Sequence, residues 1–117
     1  MKAVRLQCCV PFCRHTRGPR KGDRFPIEEG MDWICATHWR LVHPDAKRLQ
    51  KRAIAVVDRL DEKHNAMQQL GRSLDIVSPT FYDELHKVAY RRELKLRQAR
   101  RAWERCKRQA IERGTGI

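Results

Sequence analysis

This 117-residue chain has no apolar run near the roughly 20 residues that cross a bilayer. Its opening, MKAVRLQCCVPFCRH, has none of the continuous apolar stretch of a signal peptide. The expectation is a protein of the cytoplasm or nucleoid, where thiols stay reduced, with no membrane partner. Aromatic residues are scarce, at 7%, so the core must be thin. Acidic residues are scarce too: 14 Asp+Glu stand against 26 Lys+Arg, a net charge of +12. Such an excess repels itself and draws polyanions. It points to nucleic acid, DNA ahead of RNA, or to an acidic protein surface. Cysteine number lacks parity: five is odd, whereas secreted disulfide scaffolds usually use even sets. Metal binding or reduced thiols remain.

The composition divides the chain in two. Residues 1–43 hold four of the five cysteines and three of the five prolines, with no helical periodicity before WICATHWRLV. KAVRLQC alternates as a short strand and DRFPI is a second candidate; between them RHTRGPRKG reads as a basic loop. Residues 44–117 read as an antiparallel α-helical hairpin. Pro44 suits a first helical position and Asp45 the positive end of the helix dipole. Leu49, Ala53, Val56, Leu60, His64 and Met67 form one stripe, and Gly71 is the expected stop. Ser78 caps a second helix, with Pro79 in its first turn. That helix runs to about Arg113 with Gly114 ending it, on a stripe of Phe81, Leu85, Val88, Arg92, Leu96, Ala99, Trp103, Cys106 and Ala110. Folding back about residue 75 sets Leu60 near Val88 or Ala89, Ala53 near Leu96 and Leu49 near Ala99. Arg92 is then near the level of Asp58 and Asp61, and His64 reads as a satisfied core histidine. Two helices alone bury little surface, so the hairpin needs the first module or a second chain, such as a homodimer partner.

The chemistry concentrates in two close pairs: Cys8 or Cys9 with Cys13, then Cys35-x-x-His38. Zinc takes four tetrahedral ligands, usually thiolate and imidazole. Two pairs far apart in sequence supply them economically, each bending one turn of chain around the ion. Cys35 and His38 share a face on the first turn of a helix, and Pro11 shapes a knuckle around the first pair. The expected cofactor is one structural Zn²⁺. Alternation along the strand does not separate Cys8 from Cys9. Trp33 and Trp39 flank the second pair and read as packing that shields the metal.

CCVPFC followed by ICATH resembles the C-x4-C…C-x2-H knuckle near the start of many phage-type HNH endonucleases and small phage zinc proteins. That resemblance implies Cys8, Cys13, Cys35 and His38 as the ligands, and a treble-clef-like finger. RFP and ICATHW also resemble, more distantly, the C2CH finger of THAP domains, which bind DNA; the gap of 21 residues between the pairs leaves no room for their inserted helix. Neither resemblance carries a nuclease into this chain. An HNH site needs a histidine base on a hairpin and further metal ligands on a following helix, whereas His43, His64 and His86 lie in or beside plain helices. No catalytic residue and no enzymatic activity are expected.

Two basic elements remain. Residues 91–113 contain ten Lys/Arg against three Glu. Arg97, Arg101, Arg105 and Arg108 follow one another at four, four and three residues, forming a ridge opposite the Leu96, Ala99, Trp103 stripe. Such a helix can pack by one face and offer cations to phosphates on the other. In the first module Arg14, Arg17, Arg20, Lys21 and Arg24 line a glycine-containing loop suited to phosphate contact. The sequence therefore predicts a mainly α protein: a zinc finger module over 1–43, then a hairpin over 44–117 with a basic second helix. The expected function is a non-enzymatic nucleic-acid-binding regulator of phage or prophage type. The competing reading is a factor that docks on a host enzyme, such as RNA polymerase or a defence nuclease.

Overall fold

The computed structural model describes residues 4–75 and 77–116. The element order is β1 (Leu6–Gln7), β2 (Thr16–Arg17), α1 (Ala36–Trp39), α2 (Pro44–Ser73) and α3 (Pro79–Thr115). The protein is mainly α, with two long helices paired as a hairpin and one small antiparallel sheet. Among the described residues no helix is long and apolar enough to cross a membrane.

Two compact units divide the chain. One takes the N-terminal segment up to Pro44 together with α3 from Arg105 onward; the other is Asp45–Glu104. The first unit thus joins two stretches that are remote in the chain, the N-terminal segment and the end of the last helix.

In the N-terminal segment β1 and β2 pair with Leu6 opposite Arg17 and Gln7 opposite Thr16. The Cys8 amide extends this ladder to the His15 carbonyl at 3.0 Å. The second strand thus lies inside the stretch read as a basic loop, and DRFPI is irregular. Burial alternates along β1 and into the turn, with Leu6, Cys8 and Val10 buried and Arg5 and Gln7 exposed, as the alternation in KAVRLQC predicts. Leu6, Val10, Ile34 and Val42 are buried here, as are Cys106 and Ala110 of α3.

In the other unit the caps follow the sequence closely. The Phe81 amide donates to Ser78 Oγ at 3.2 Å, an N-cap bond to the third helical residue. Pro44 and Asp45 open α2 as expected. The stops differ. α2 runs through Gly71 to Ser73, and α3 runs through Gly114 to Thr115. Space at Gly71 is tight: a β-carbon there would lie 3.0 Å from the Phe81 ring. The glycine that follows α3 with a left-handed φ of 76° is Gly116.

The α3 stripe is as expected: Val88, Ala99, Cys106 and Ala110 are buried and Phe81, Leu85, Arg92, Leu96 and Trp103 half-buried. The α2 stripe is rotated slightly. Ala46, Val57, Leu60 and His64 are buried, Val56 is half-buried, and Leu49 is exposed. Arg92 Nη1 lies 3.4 Å from Asp61 Oδ1 and 3.5 Å from His64 Nδ1. These pairs, with Gly71 and Phe81, centre between residues 76 and 78, beyond the expected pivot at 75. The α3 residues level with Leu60 and Ala53 therefore fall about one turn past Val88 and Leu96.

Candidate metal centre and cationic faces

The turn between β1 and β2 builds half of the site. Val10, Pro11, Phe12 and Cys13 form a β-turn closed by the Cys13 amide on the Val10 carbonyl at 3.1 Å. Proline second and a left-handed residue third (Phe12, φ 67°) make it a type II turn. It brings Cys13 back beside Cys8. The other half comes from α1, where Cys35 is the N-cap residue and His38 lies one turn on. The Cys35 amide donates to Cys8 Sγ at 3.4 Å and joins the two halves.

The ligand atoms of Cys8, Cys13, Cys35 and His38 lie within 4.8 Å of one another. Cys13 Sγ is 3.8 Å from Cys35 Sγ, Cys8 Sγ is 3.6 Å from His38 Nδ1, and Cys35 Sγ is 3.2 Å from the same nitrogen. Tetrahedral bonds of about 2.3 Å to sulfur and about 2.0 Å to nitrogen would set these edges at about 3.8 and 3.5 Å. These three separations are compatible with a single four-coordinate ion. The three cysteines are buried and His38 half-buried. Cys9, the rival first ligand, is outside the group: it is half-buried and its amide donates to the Trp33 carbonyl at 2.8 Å. Among the described residues no cysteine forms a disulfide.

Burial pushes the Cys13 thiol above its ordinary value, against the opposing pull of the His15 amide. Burial also acts upward on Cys35, but the amides of His38 and Thr37 and the neighbouring Cys8 and Cys13 outweigh it and leave this thiol lowered. Cys9 is raised, first by burial and then by Cys8 beside it. A divalent ion in this group would hold the ligand thiols as thiolates.

Three features escaped the sequence reading. His15 Nδ1 lies 3.3 Å from Cys13 Sγ, placed to support a ligand thiolate from outside. Nothing in the C-x4-C spacing marks it. Gly114 lets α3 approach the site: a β-carbon there would lie 2.9 Å from His38 Cδ2 and 2.9 Å from Val10 Cγ1. Phe12, between the first two ligands, is 98% exposed. The end of α3 is tied into the same unit by polar contacts. Lys107 Nζ reaches Asp32 Oδ2 at 3.1 Å, Arg113 Nη1 donates to the Leu41 carbonyl at 2.6 Å, and Gln109 Oε1 accepts from the His43 amide at 2.9 Å.

The cations separate into two kinds. Arg97, Arg101, Arg105 and Arg108 are all exposed, along one face of α3. Arg14, Arg20, Lys21 and Arg24 are exposed in the N-terminal segment. Arg17 differs from these in burial: it is half-buried and ion-paired with Asp23. The Arg20 amide, with the Arg17 guanidinium, holds the Asp23 carboxyl below the ordinary range. Arg17 thus braces the loop that carries Arg20 and Lys21. Comparison with protein-family models, curated proteins and solved structures returns no match for the chain, so the chemistry of the site rests on its own geometry.

Proposed function

We propose that the chain is a zinc-stabilised, non-enzymatic nucleic-acid-binding protein, a regulator of the phage type that its knuckle resembles. The observation that carries this reading is the arginine face of α3. Arg97, Arg101, Arg105 and Arg108 are exposed, while Ala99 and Cys106 on the opposite stripe are buried. A helix anchored by one face and cationic on the other suits a row of phosphates. Zinc is the metal of choice for three thiolates and an imidazole in a tetrahedron, and four protein ligands leave no open position for catalysis. Its role is to hold the N-terminal turn and α1 together.

The test is binding of the zinc-loaded protein to oligonucleotides as salt is varied. Arg101→Glu with Arg105→Glu should leave the fold intact and weaken binding. Replacing all four ridge arginines should flatten the slope of log K against log salt by roughly 3 to 4. Intact binding after the double reversal would reduce the ridge to a solvated face. One feature favours the competing reading of protein docking: Tyr90 and Leu94, one turn apart on α3, are 67% and 39% exposed. A partner captured equally with and without nuclease treatment, and lost on Tyr90→Ser, would support that alternative.

A further inference from the structure

Phe12 is in a conformation that its side chain opposes. The third position of a type II turn needs φ > 0 and is ordinarily glycine or asparagine. A bulky residue there is a genuine backbone outlier. Phe12 takes φ 67° and receives no packing in return: among the described residues its side chain is the most exposed of the large hydrophobic ones, at 98%. Neither the turn nor the core of this chain calls for an aromatic ring at that position.

The backbone that carries the ring is tied down on both sides. Cys8 and Cys13, two of the four grouped ligands, bracket it. The Cys13 amide closes the turn beneath it, and Gln7 Nε2 donates to the Cys13 carbonyl at 3.3 Å. A ring presented from a clamped turn needs no further ordering of its backbone when it is covered. Its surroundings define the chemistry of the cover. Residues 4–22 contain five Lys/Arg and no Asp or Glu. Arg14, two residues along, is exposed, as are Arg20 and Lys21. A second exposed ring, Phe25 at 67%, carries the Arg24 guanidinium 5.4 Å from its centroid. Exposed rings beside cations suit a polyanion that offers flat apolar faces.

We infer that the N-terminal unit binds single-stranded nucleic acid, with Phe12 stacking on an unpaired base while the adjacent cations hold the backbone. This rests on the nucleic-acid reading above and narrows it. Stacking on an aromatic platform within a cationic groove is how single strands are held without sequence preference. A duplex hides its base faces. Prying a step apart must be repaid by wrapping a broad protein surface, and a six-residue turn offers little surface to wrap.

The experiment uses the full-length, zinc-loaded protein and three fluorescent probes of equal length: a mixed-sequence single strand, its duplex, and an abasic single strand. Wild type should prefer the base-bearing single strand to the abasic one. Phe12→Gly suits the turn, so its zinc content should be unchanged and its melting temperature equal or higher. Its affinity for the base-bearing single strand should fall about 5- to 100-fold, the range that base–aromatic stacking commands. Its salt slope should stay the same, because no phosphate contact is removed, and duplex affinity should not move. Phe12→Trp should restore or exceed wild-type binding. Undiminished single-strand binding by Phe12→Gly, or equal wild-type affinity for the abasic strand, would overturn this inference and leave the nucleic-acid reading standing. A larger loss on duplex than on single strand would replace stacking by wedging. Wild type that binds none of the probes at low salt would remove both.

Discussion

A β-carbon on Gly114 would press on two atoms that cannot move aside cheaply. One belongs to the ring of His38, whose Nδ1 faces three thiols, and the other to Val10, which is 2% exposed. Alanine is the better helix former by about 1 kcal/mol, but overpacking a tight site costs about 1 to 3. Gly114→Ala is therefore expected to be net destabilising by up to about 2 kcal/mol, and to speed zinc transfer to a colorimetric chelator. A raised urea midpoint with unchanged zinc release would show that the site has slack. The first ligand can be assigned in the same assay: Cys8→Ser should release zinc and Cys9→Ser should not, since Cys9 lies outside the group. At this scale the sequence was legible where chemistry is encoded by residue type. Cysteines and a histidine at pair spacings announce a metal. Gly114 was legible only as a helix stop, because its true neighbours, Val10 and His38, are remote in the chain. Phe12 was unreadable as a strained residue until the turn type was known.

Within the hairpin, periodicity and caps located both helices. The register came out about one turn away from expectation, because α2 continues past Gly71 and the connection starts only after Ser73. What pins the register is polar: Arg92 reaches both Asp61 and His64 from the middle of an apolar stripe. The Arg92 and Asp61 side chains are 30% and 39% exposed, so solvent screens the ion pair to about 0–1 kcal/mol. The imidazole weighs more. His64 is 9% exposed, and a guanidinium can only donate, so Nδ1 is the acceptor. Arg92→Leu would leave that buried nitrogen without this partner, at about 1 to 3 kcal/mol. His64→Leu removes one of the guanidinium's two contacts and should also destabilise. The double replacement removes both members of the buried polar contact, leaves only the part-exposed Asp61 carboxylate, and should recover part of the loss, as apolar replacement of a buried polar pair often does. A double-mutant cycle in urea should therefore return a coupling of about 0.5 to 3 kcal/mol. Strict additivity would mean that Arg92 and His64 act independently.

For the whole molecule, the division into units sets what zinc removal should do. The sequence suggested a finger followed by a hairpin, whereas α3 from Arg105 onward belongs with the N-terminal segment. The reason is visible in Cys106 and Ala110, both 0% exposed, and in the Lys107–Asp32 pair. The side chains buried in that unit are few and mostly small, as in domains that lean on a metal for stability. Structural zinc in comparable sites contributes about 10 to 16 kcal/mol, as much as the whole stability of a typical domain. Chelation, or His38→Ala, should therefore unfold the N-terminal segment and release α3 from Arg105 to Thr115. α2 and the α3 residues before Arg105 should keep their helix, because their stripes do not depend on the ligands. Helical circular dichroism should fall by about a fifth, the share of α1 and Arg105–Thr115 in the helical residues. Hydrogen exchange should lose protection in those same residues and keep it in Val57, Leu60 and Val88. Zinc binding displaces protons from its ligands, so the metal-bound state carries fewer protons and its stability is lost as pH falls. Mild acid should reproduce the chelator's pattern of lost protection, and excess zinc should move that transition to lower pH. Uniform loss of protection along both helices on chelation would show one cooperative fold. No loss anywhere would show that the four grouped ligands do not hold this unit together.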